Sequence, residues 1–400
     1  MKRFAFAFLL IVCSASAKSQ SDLEQNINIG LMLPFQTQSS LRDIEDFFNA
    51  PDYFTASRIS LNSYSEEALD FYEGTRLALN KNEEKLHINL HLYDCWNNDS
   101  VTEAWLAKPE LRELDILIGP SSTANARIVA EFCRKNKILN VQPFTPSKSL
   151  TAGNPYHIKL TSTIDSHVDN MFLSVLDTFS GDNIIIYSPE SDASLSAAKR
   201  FDSLFNDFNK TSSAKFTVNY LTTKKLTAEK RSVSSYLAPK KRNVLLITSF
   251  EGSFVNSTLR LLMDEKKHTD IVVYGMPTWL NSEVLRLDYV NSFNTRITAP
   301  FYADTTKSRT AAFVSDYQTT YAKQPTEMSY MGYDVMNFLL YALSTYGKNF
   351  TEDVTGERYT GTGYKFDIVR VTDSNGNINY YENRHVNVFR IADYRMERIW

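Results

Sequence analysis

Hydroxyl groups crowd two short stretches of this chain. Ser121, Ser122 and Thr123 follow Gly119-Pro120 directly, and Thr145, Ser147 and Ser149 alternate with Pro146 and Lys148. The first stretch stands where an apolar run ends and a helical pattern begins. Free backbone N–H groups at a helix start hold anions, so three hydroxyls beside them suit a carboxylate or another polar head group. The plainer reading is that Ser122 and Thr123 only cap the helix, a common use of these residues. Both readings stand at this stage. Lys148 adds a positive charge that suits an anionic solute. Further on, Ser188 and Glu190 follow the apolar run ending at Tyr187, Glu251 follows the run ending at Ile247, Met276 to Trp279 follow Tyr274, and Tyr302 lies just beyond Ala299. Glu251 reads equally as a ligand contact and as a solvated first-turn acid favoured by the helix dipole.

Other chemistry is missing from the pattern. His87 and His91 share one strand face, but at that spacing they lie ~13 Å apart, too far for one metal ion. The sequence has no HExxH, CxxC or Asp-rich calcium loop, and no GxSxG elbow or Walker loop. Gly361-Thr362-Gly363 lacks the helix and lysine that a phosphate loop needs. No catalytic centre, no cofactor and no metal is therefore expected.

Alternating strand and helix patterns position these residues. Ile27 to Leu33 reads as a strand, and Glu66 to Asn80 as a helix started by a capping box of Ser63 and Glu66. His87 to Leu92 alternates polar and apolar, as a half-exposed edge strand does. Strands follow at 115–118 and 138–141, with a helix from Thr123 to Lys135 between them. A second cycle opens with a helix from Ser166 to Phe179. Its stripe is Val168, Met171, Phe172, Val175, Leu176 and Phe179, the i, i+3, i+4, i+7 spacing of a packed face. Strands at 183–187, 244–247, 271–274 and 296–299, with helices at 194–208, 254–264, 308–321 and 327–346, continue the series. The tail reads as strands over 364–371 and 378–391 around a hairpin turn at Asp373-Ser374-Asn375-Gly376. Short apolar strands flanked by helices are the pattern of parallel sheets covered on both faces. The expected fold is α/β, with two doubly wound, Rossmann-like lobes joined by several crossings.

The chain has 400 residues, enough for two such lobes. Its start reads as an export signal: Lys2 and Arg3, an apolar core from Phe4 to Val12, then small residues at Ala15-Ser16-Ala17. Cutting after Ala17 would move the net charge from −3 to −5 by removing two cations. An acidic chain has no general attraction to nucleic acid, and no nucleic-acid partner is expected. A lipoprotein cut at Cys13 is the lesser option, because Val12 is not the small residue that precedes a lipidated cysteine. The expected location is periplasmic. Cys95 and Cys133 would remain. Cys133 lies well into a helix that starts near Cys95, so the two are expected to stay free.

Five stretches in this order resemble the type 1 periplasmic binding proteins, the leucine/isoleucine/valine-binding group. They are INIGLMLPF (Ile27 to Phe35), ALDFYEGTRLALN (Ala68 to Asn80), LYDCWNND (Leu92 to Asp99), DILIGPSSTANARIVAEFCRKNKILNVQPFTPS (Asp115 to Ser147) and MSYMGYDVMNFLLYAL (Met328 to Leu343). Within that group the chain is similar to an envelope variant of Bacteroidetes-like bacteria, although no LysM-like module is visible. The resemblance implies a signal peptide at 1–17, an N-terminal lobe from 18–163 plus about 297–348, and a C-terminal lobe from 164–296 plus about 349–400. It also implies that the Ser121–Thr123 and Thr145–Ser149 loops hold an amino acid's carboxylate, while Glu251 or a tyrosine of the other lobe meets its amino group. Ser188 and Tyr302 join the same expected rim.

Two functions fit. One is a receptor that captures a small polar ligand, such as an amino acid, and delivers it to an ABC permease. The other is an envelope interaction protein that keeps the receptor fold and binds a cell-wall partner through the long segment from Leu41 to Tyr64 and the β-rich tail.

Overall fold

Strand β1 (Ile27–Leu33) shows how the first lobe is layered. Its alternate residues Ile27, Ile29, Leu31 and Leu33 enter one apolar cluster, while Met32 enters another on the opposite face. A strand buried on both faces carries a nearly continuous apolar run, and this one does, with Asn28 near its start the one polar residue. The computed structural model describes residues 26–49, 62–82, 86–151 and 153–400. The expected signal peptide and Cys13 lie outside these residues, as does much of the Leu41–Tyr64 segment.

The first sheet runs on through β2 (Ile88–Asp94), β3 (Ile116–Ile118), β4 (Leu139–Gln142) and β5 (His157–Lys159). Parallel pairing places β1 between β2 and β3, with β4 and β5 beyond, so β2 forms the sheet edge, as its alternating pattern predicts. The helices of this half are α1 (Thr37–Phe48), α2 (Ser63–Asn80), α3 (Asp99–Leu106) and α4 (Thr123–Asn136). Helix α2 is capped by Asn62, whose Oδ1 accepts from the Tyr64 N–H, and not by a Ser63–Glu66 box. An asparagine side chain one residue earlier reaches the free N–H first.

The second half contains α5 (Ile164–Thr178), β6 (Asn183–Ser188), α6 (Asp192–Thr211), β7 (Thr217–Thr222), α7 (Thr223–Glu229), β8 (Asn243–Ile247), α8 (Gly252–Leu262), β9 (Ile271–Gly275), α9 (Leu287–Ser292) and β10 (Arg296–Ala299). Strands β6 to β10 form a second parallel sheet. Val168, Met171, Phe172, Val175 and Phe179 of the striped segment lie in its core, as their spacing predicts. The chain then returns to the first lobe through α10 (Ser308–Tyr321) and α11 (Glu327–Tyr346), which pack in the first lobe's core.

The tail divides between the lobes. Strands β11 (Arg358–Thr360), β12 (Lys365–Thr372) and β13 (Ile378–Asn383) extend the first sheet, with β13 parallel to β5. Strands β14 (Asn387–Ala392) and β15 (Arg395–Arg398) extend the second, with β14 antiparallel to β10. The expected boundaries change accordingly: 358–383 pairs within the N-terminal lobe, and 297–299 within the C-terminal lobe. The reason is that the run from Ile378 to Ile391 reads locally as one strand, and its three-residue passage Arg384-His385-Val386 carries no Gly or Pro to mark the change of sheet.

Three crossings therefore join the lobes, between β5 and α5, β10 and α10, and β13 and β14. Side chains tie them together. The Ser162 hydroxyl donates to the His385 carbonyl at 2.6 Å, Asn383 Nδ2 donates to the Leu160 carbonyl, and Asn387 Nδ2 donates to the carbonyls of Ala299 and Pro300.

Candidate functional site

The carboxyl ends of parallel strands are where α/β sheets bind ligands, because helix N-termini point free N–H groups there. In the first lobe this edge is fixed by buried polar side chains. Gln142 of β4 is fully buried; its Nε2 donates to the Pro120 carbonyl at 2.9 Å, and its Oε1 accepts from the Phe144 N–H at 2.9 Å. It thereby couples the loop after β3 to the loop after β4. Asn140, also buried, donates to the carbonyls of Leu117 and Gly119.

Asp94, at the end of β2, organises the other side. One carboxylate oxygen accepts from the Gln36 N–H at 3.0 Å, and the second accepts from the N–H and the hydroxyl of Thr37, each at 2.9 Å. The Trp96 N–H also reaches it at 3.4 Å. Gln36, Trp96 and Asn97 all have left-handed backbones, with φ of 48°, 55° and 51°. Such conformations cost non-glycine residues about 1–3 kcal/mol each, and the Asp94 contacts hold two of the three in place.

Opposite them, α2 and α11 cross at their glycines. A Cβ on Gly332 would strike the Phe71 carbonyl, and one on Gly74 would strike the Ser329 carbonyl. Only glycine permits so close an approach. A polar network around two buried acids reinforces it: Lys323 pairs with Asp70 at 2.6 Å and Glu73 at 2.9 Å, Tyr317 donates to Glu73, and Thr326 donates to Asp70. Helix α11 also carries Asp334, which is wholly buried. It accepts four hydrogen bonds of 2.7–2.9 Å, from the Thr362, Gly363 and Tyr364 N–H groups and the Thr362 hydroxyl. Burial pushes its carboxyl up, while those donors pull the other way. Gly361-Thr362-Gly363 is thus a cradle for this carboxylate, since a Cβ on Gly361 would collide with it. The clamp sets Tyr364, whose hydroxyl donates to Glu327 Oε1 at 2.7 Å.

These elements enclose a hollow of about 790 Å³ on the first-lobe rim. Its walls include Trp96, Phe144, Tyr364, Met328 and Met331, and its polar groups include Gln36, Asn97, Ser121, Ser122, Thr161, Glu67 and Glu327. Ser122 occupies the N-cap of α4, yet its side chain makes no capping bond. Ser122 lines the hollow, and its hydroxyl is not spent on the helix.

A family model described as periplasmic binding protein matches residues 98–392, nearly three-quarters of the chain. The chain belongs to the periplasmic binding protein family. Like other members, this periplasmic binding protein has the two-lobed type 1 fold, which it shares with solved structures of low sequence identity. An ABC-type branched-chain amino acid transporter protein from Rhodopseudomonas palustris matches with a TM-score of 0.63 at 12% identity, over 94% of this chain and 96% of that one. An ABC transporter substrate-binding protein from Desulfitobacterium hafniense, in complex with Leu, matches at 0.53 and 14%, over 94% and 100%. Full-length LpoA from Haemophilus influenzae matches at 0.55 and 12%, over 94% of this chain and 59% of that one. No curated protein matches the sequence.

Within this binding protein the sequence-predicted residues separate into groups. Ser121 and Ser122 line the hollow, and Ser121 Oγ lies 3.4 Å from Asn97 Oδ1. Thr123 and Thr145 share a 2.9 Å hydroxyl–hydroxyl bond that joins the two loops. Ser147 and Ser149 bond to each other at 2.9 Å and do not line the hollow; nothing is described of the Lys148 side chain. In the second lobe, Ser188 is fully buried and donates to the Pro189 carbonyl, so it serves the loop. Glu251 stands exposed at the N-cap of α8. Tyr302 packs on Phe389, with the Arg398 guanidinium over its ring at 4.9 Å, and lines a separate hollow beside β14 and β15.

Sequence reading missed Gln36, Trp96, Asn97, Phe144, Glu327, Met328 and Tyr364. Left-handed Gln36 and Trp96 give no local signal, because neither Trp nor Gln is a turn former; only Asn97, a residue type that tolerates this conformation, could have marked the turn. Tyr364 reaches the hollow only through a clamp on a helix 30 residues away. Cys95 and Cys133 are free, as expected, and buried in one apolar cluster. Burial pushes the Cys95 thiol up to about 11 and raises that of Cys133 as well, so neither is a reactive thiolate.

Proposed function

We propose that this protein is an exported solute receptor that captures a small polar ligand, an amino acid or a related molecule, between its lobes and presents it to an ABC-type permease. The observation that carries this reading is the first-lobe hollow, where Ser121 and Ser122 stand at a helix start among aromatic and thioether walls. A concave, largely apolar site with a few convergent polar groups is the usual form of a small-molecule site. Glu251 and the second-lobe rim then complete the enclosure when the lobes swing together, as in hinge-closing receptors. A thermal-shift screen of amino acids and polar metabolites on residues 18–400, followed by calorimetry and small-angle scattering, tests it. The expected result is a stabilising solute that binds one to one and reduces the radius of gyration. A screen in which no solute stabilises the protein would remove the proposal.

One observation favours the second reading, an envelope interaction protein. Leu280, Val284 and Leu287 are exposed close together in sequence near the start of α8, with Val284 at 64%. Exposed apolar side chains in one place mark protein contacts. Capture of an envelope protein by the wild-type chain but not by Val284→Asp would support this reading.

A further inference from the structure

We propose that the first-lobe hollow recognises the ammonium group of its solute and excludes solutes whose only charge is negative. This rests on the receptor reading and names the ligand class of that site. The charged side chains lining the hollow are Glu67 and Glu327, and no Lys, Arg or His lines it among the described residues. The hollow itself, and not the pair of acids, is the site; the acids set the sign of its field.

Glu327 is aimed rather than merely present. It stands in the first turn of α11, where the helix dipole favours a carboxylate. The Tyr364 hydroxyl holds its Oε1 at 2.7 Å. Tyr364 is in turn set by the Asp334 clamp on its own N–H at 2.8 Å. Glu67 comes from α2, whose crossing with α11 is locked by Gly74 and Gly332. Both acids therefore stand on elements that cannot drift apart without breaking buried contacts.

The walls suit the same guest. Trp96, Tyr64, Phe144 and Tyr364 supply aromatic faces, and Met328 and Met331 supply polarisable thioethers. Aromatic faces beside carboxylates attract an organic cation through the ring quadrupole as well as by charge. An isolated carboxylate on the solute would find only neutral donors, at Ser121, Ser122, Gln36, Asn97, Thr161 and the α4 start, and would meet two like charges on the way in. The ammonium therefore contributes more to affinity than the carboxylate does.

Two matched sets of probes test this on residues 18–400 by calorimetry: phenethylamine, phenylalanine and 3-phenylpropionate, then isoamylamine, leucine and 4-methylpentanoate. In at least one set, the amine is expected to bind no more weakly than the amino acid, and the acid at least 30-fold more weakly. Glu327→Gln and Glu67→Gln, both at exposed positions that tolerate the change, are each expected to weaken the amine about tenfold. Tyr364→Phe, which frees Oε1 without altering charge, is expected to weaken it less, by about threefold. An acid that binds as tightly as its amine, or amine binding indifferent to both glutamate variants, overturns the proposal. So does failure of every probe while a neutral or anionic metabolite binds, which leaves the receptor reading intact. Failure of all solutes of every charge removes both.

Discussion

At the first-lobe rim, Asp94 and Asp334 each accept several backbone N–H bonds, and Gln142 joins two loops that come from different strands. At the second-lobe rim the corresponding positions are quieter. Ser188 turns back on its own loop, Glu251 is exposed, and Trp279 Nε1 donates to the Ser249 carbonyl at 2.8 Å to close the corner behind them. Both rims end parallel strands beside helix starts, so the repeated unit is the same. What differs is where buried carboxylates and buried amides are invested. The contrast teaches that one rim is fixed in advance by buried polar contacts and the other is not; under the proposed function the second rim would contribute on closure. Fixing one half in advance lowers the ordering cost of binding.

The contrast can be broken most severely at Asp334. Asp334→Ala leaves four buried donors without a partner, at about 1–3 kcal/mol each for groups that stay dry. The expected outcome is a loss of about 4 kcal/mol or more in denaturant unfolding. Hydrogen exchange should show it in α11 and residues 361–364 before any second-lobe peptide. Uniform exchange across both lobes would show that the rims are not independent. Gly332→Ala comes next, since the new methyl meets backbone that cannot yield. A cost of about 2–3 kcal/mol is expected from overpacking, measured in the same way and again confined to the first lobe.

Asp94→Asn keeps the shape but exchanges charge-assisted acceptors for weaker or repelling groups. Stability should fall by about 1–2 kcal/mol, while solute affinity falls more steeply because Gln36 and Trp96 lose their anchor. An affinity change no larger than the stability change would argue that the loop is not preorganised for the ligand.

The buried histidines sharpen the comparison by pH. Burial lowers His157 of the first lobe to about 3 and His167 of the second to about 4. The unfolded chain takes up these protons near the ordinary imidazole value while the folded chain refuses them. Stability is therefore full above about pH 6.5 and declines as pH falls, until each folded value is passed. His167→Gln should flatten the decline between pH 6 and 5 by up to one proton in a melting-temperature series. An unchanged slope would place the proton uptake elsewhere. The smallest effect belongs to Gly252→Ala at the second rim. Its Cβ would meet the Ser282 hydroxyl at 2.8 Å, a side chain free to rotate, so a change within about 0.5 kcal/mol is expected.

Much of this was legible in the residues. The helical stripe beginning at Val168 and the alternating edge strand after His87 each stated their place locally, because burial of one face imposes a period on the chain. Ser121 and Ser122 were expected at a strand end because a helix start follows them, and they line the hollow there. Short β5 and the polar β7 escaped, having too few apolar residues to show a period.

The sequence by itself determined the two-lobed α/β plan, the strand ends and the hydroxyl-bearing loops after them, since these follow from local periodicity and from what a helix start exposes. Tertiary structure alone decided that 358–383 joins the first sheet, that Ser188 is occupied with its own loop, and that Trp96, Glu327 and Tyr364 face one hollow. Those outcomes depend on contacts between residues as distant as β5 and β13, or Asp334 and Tyr364. A local pattern can specify that a strand must be covered, but not by which partner. That choice is made only when the whole core packs.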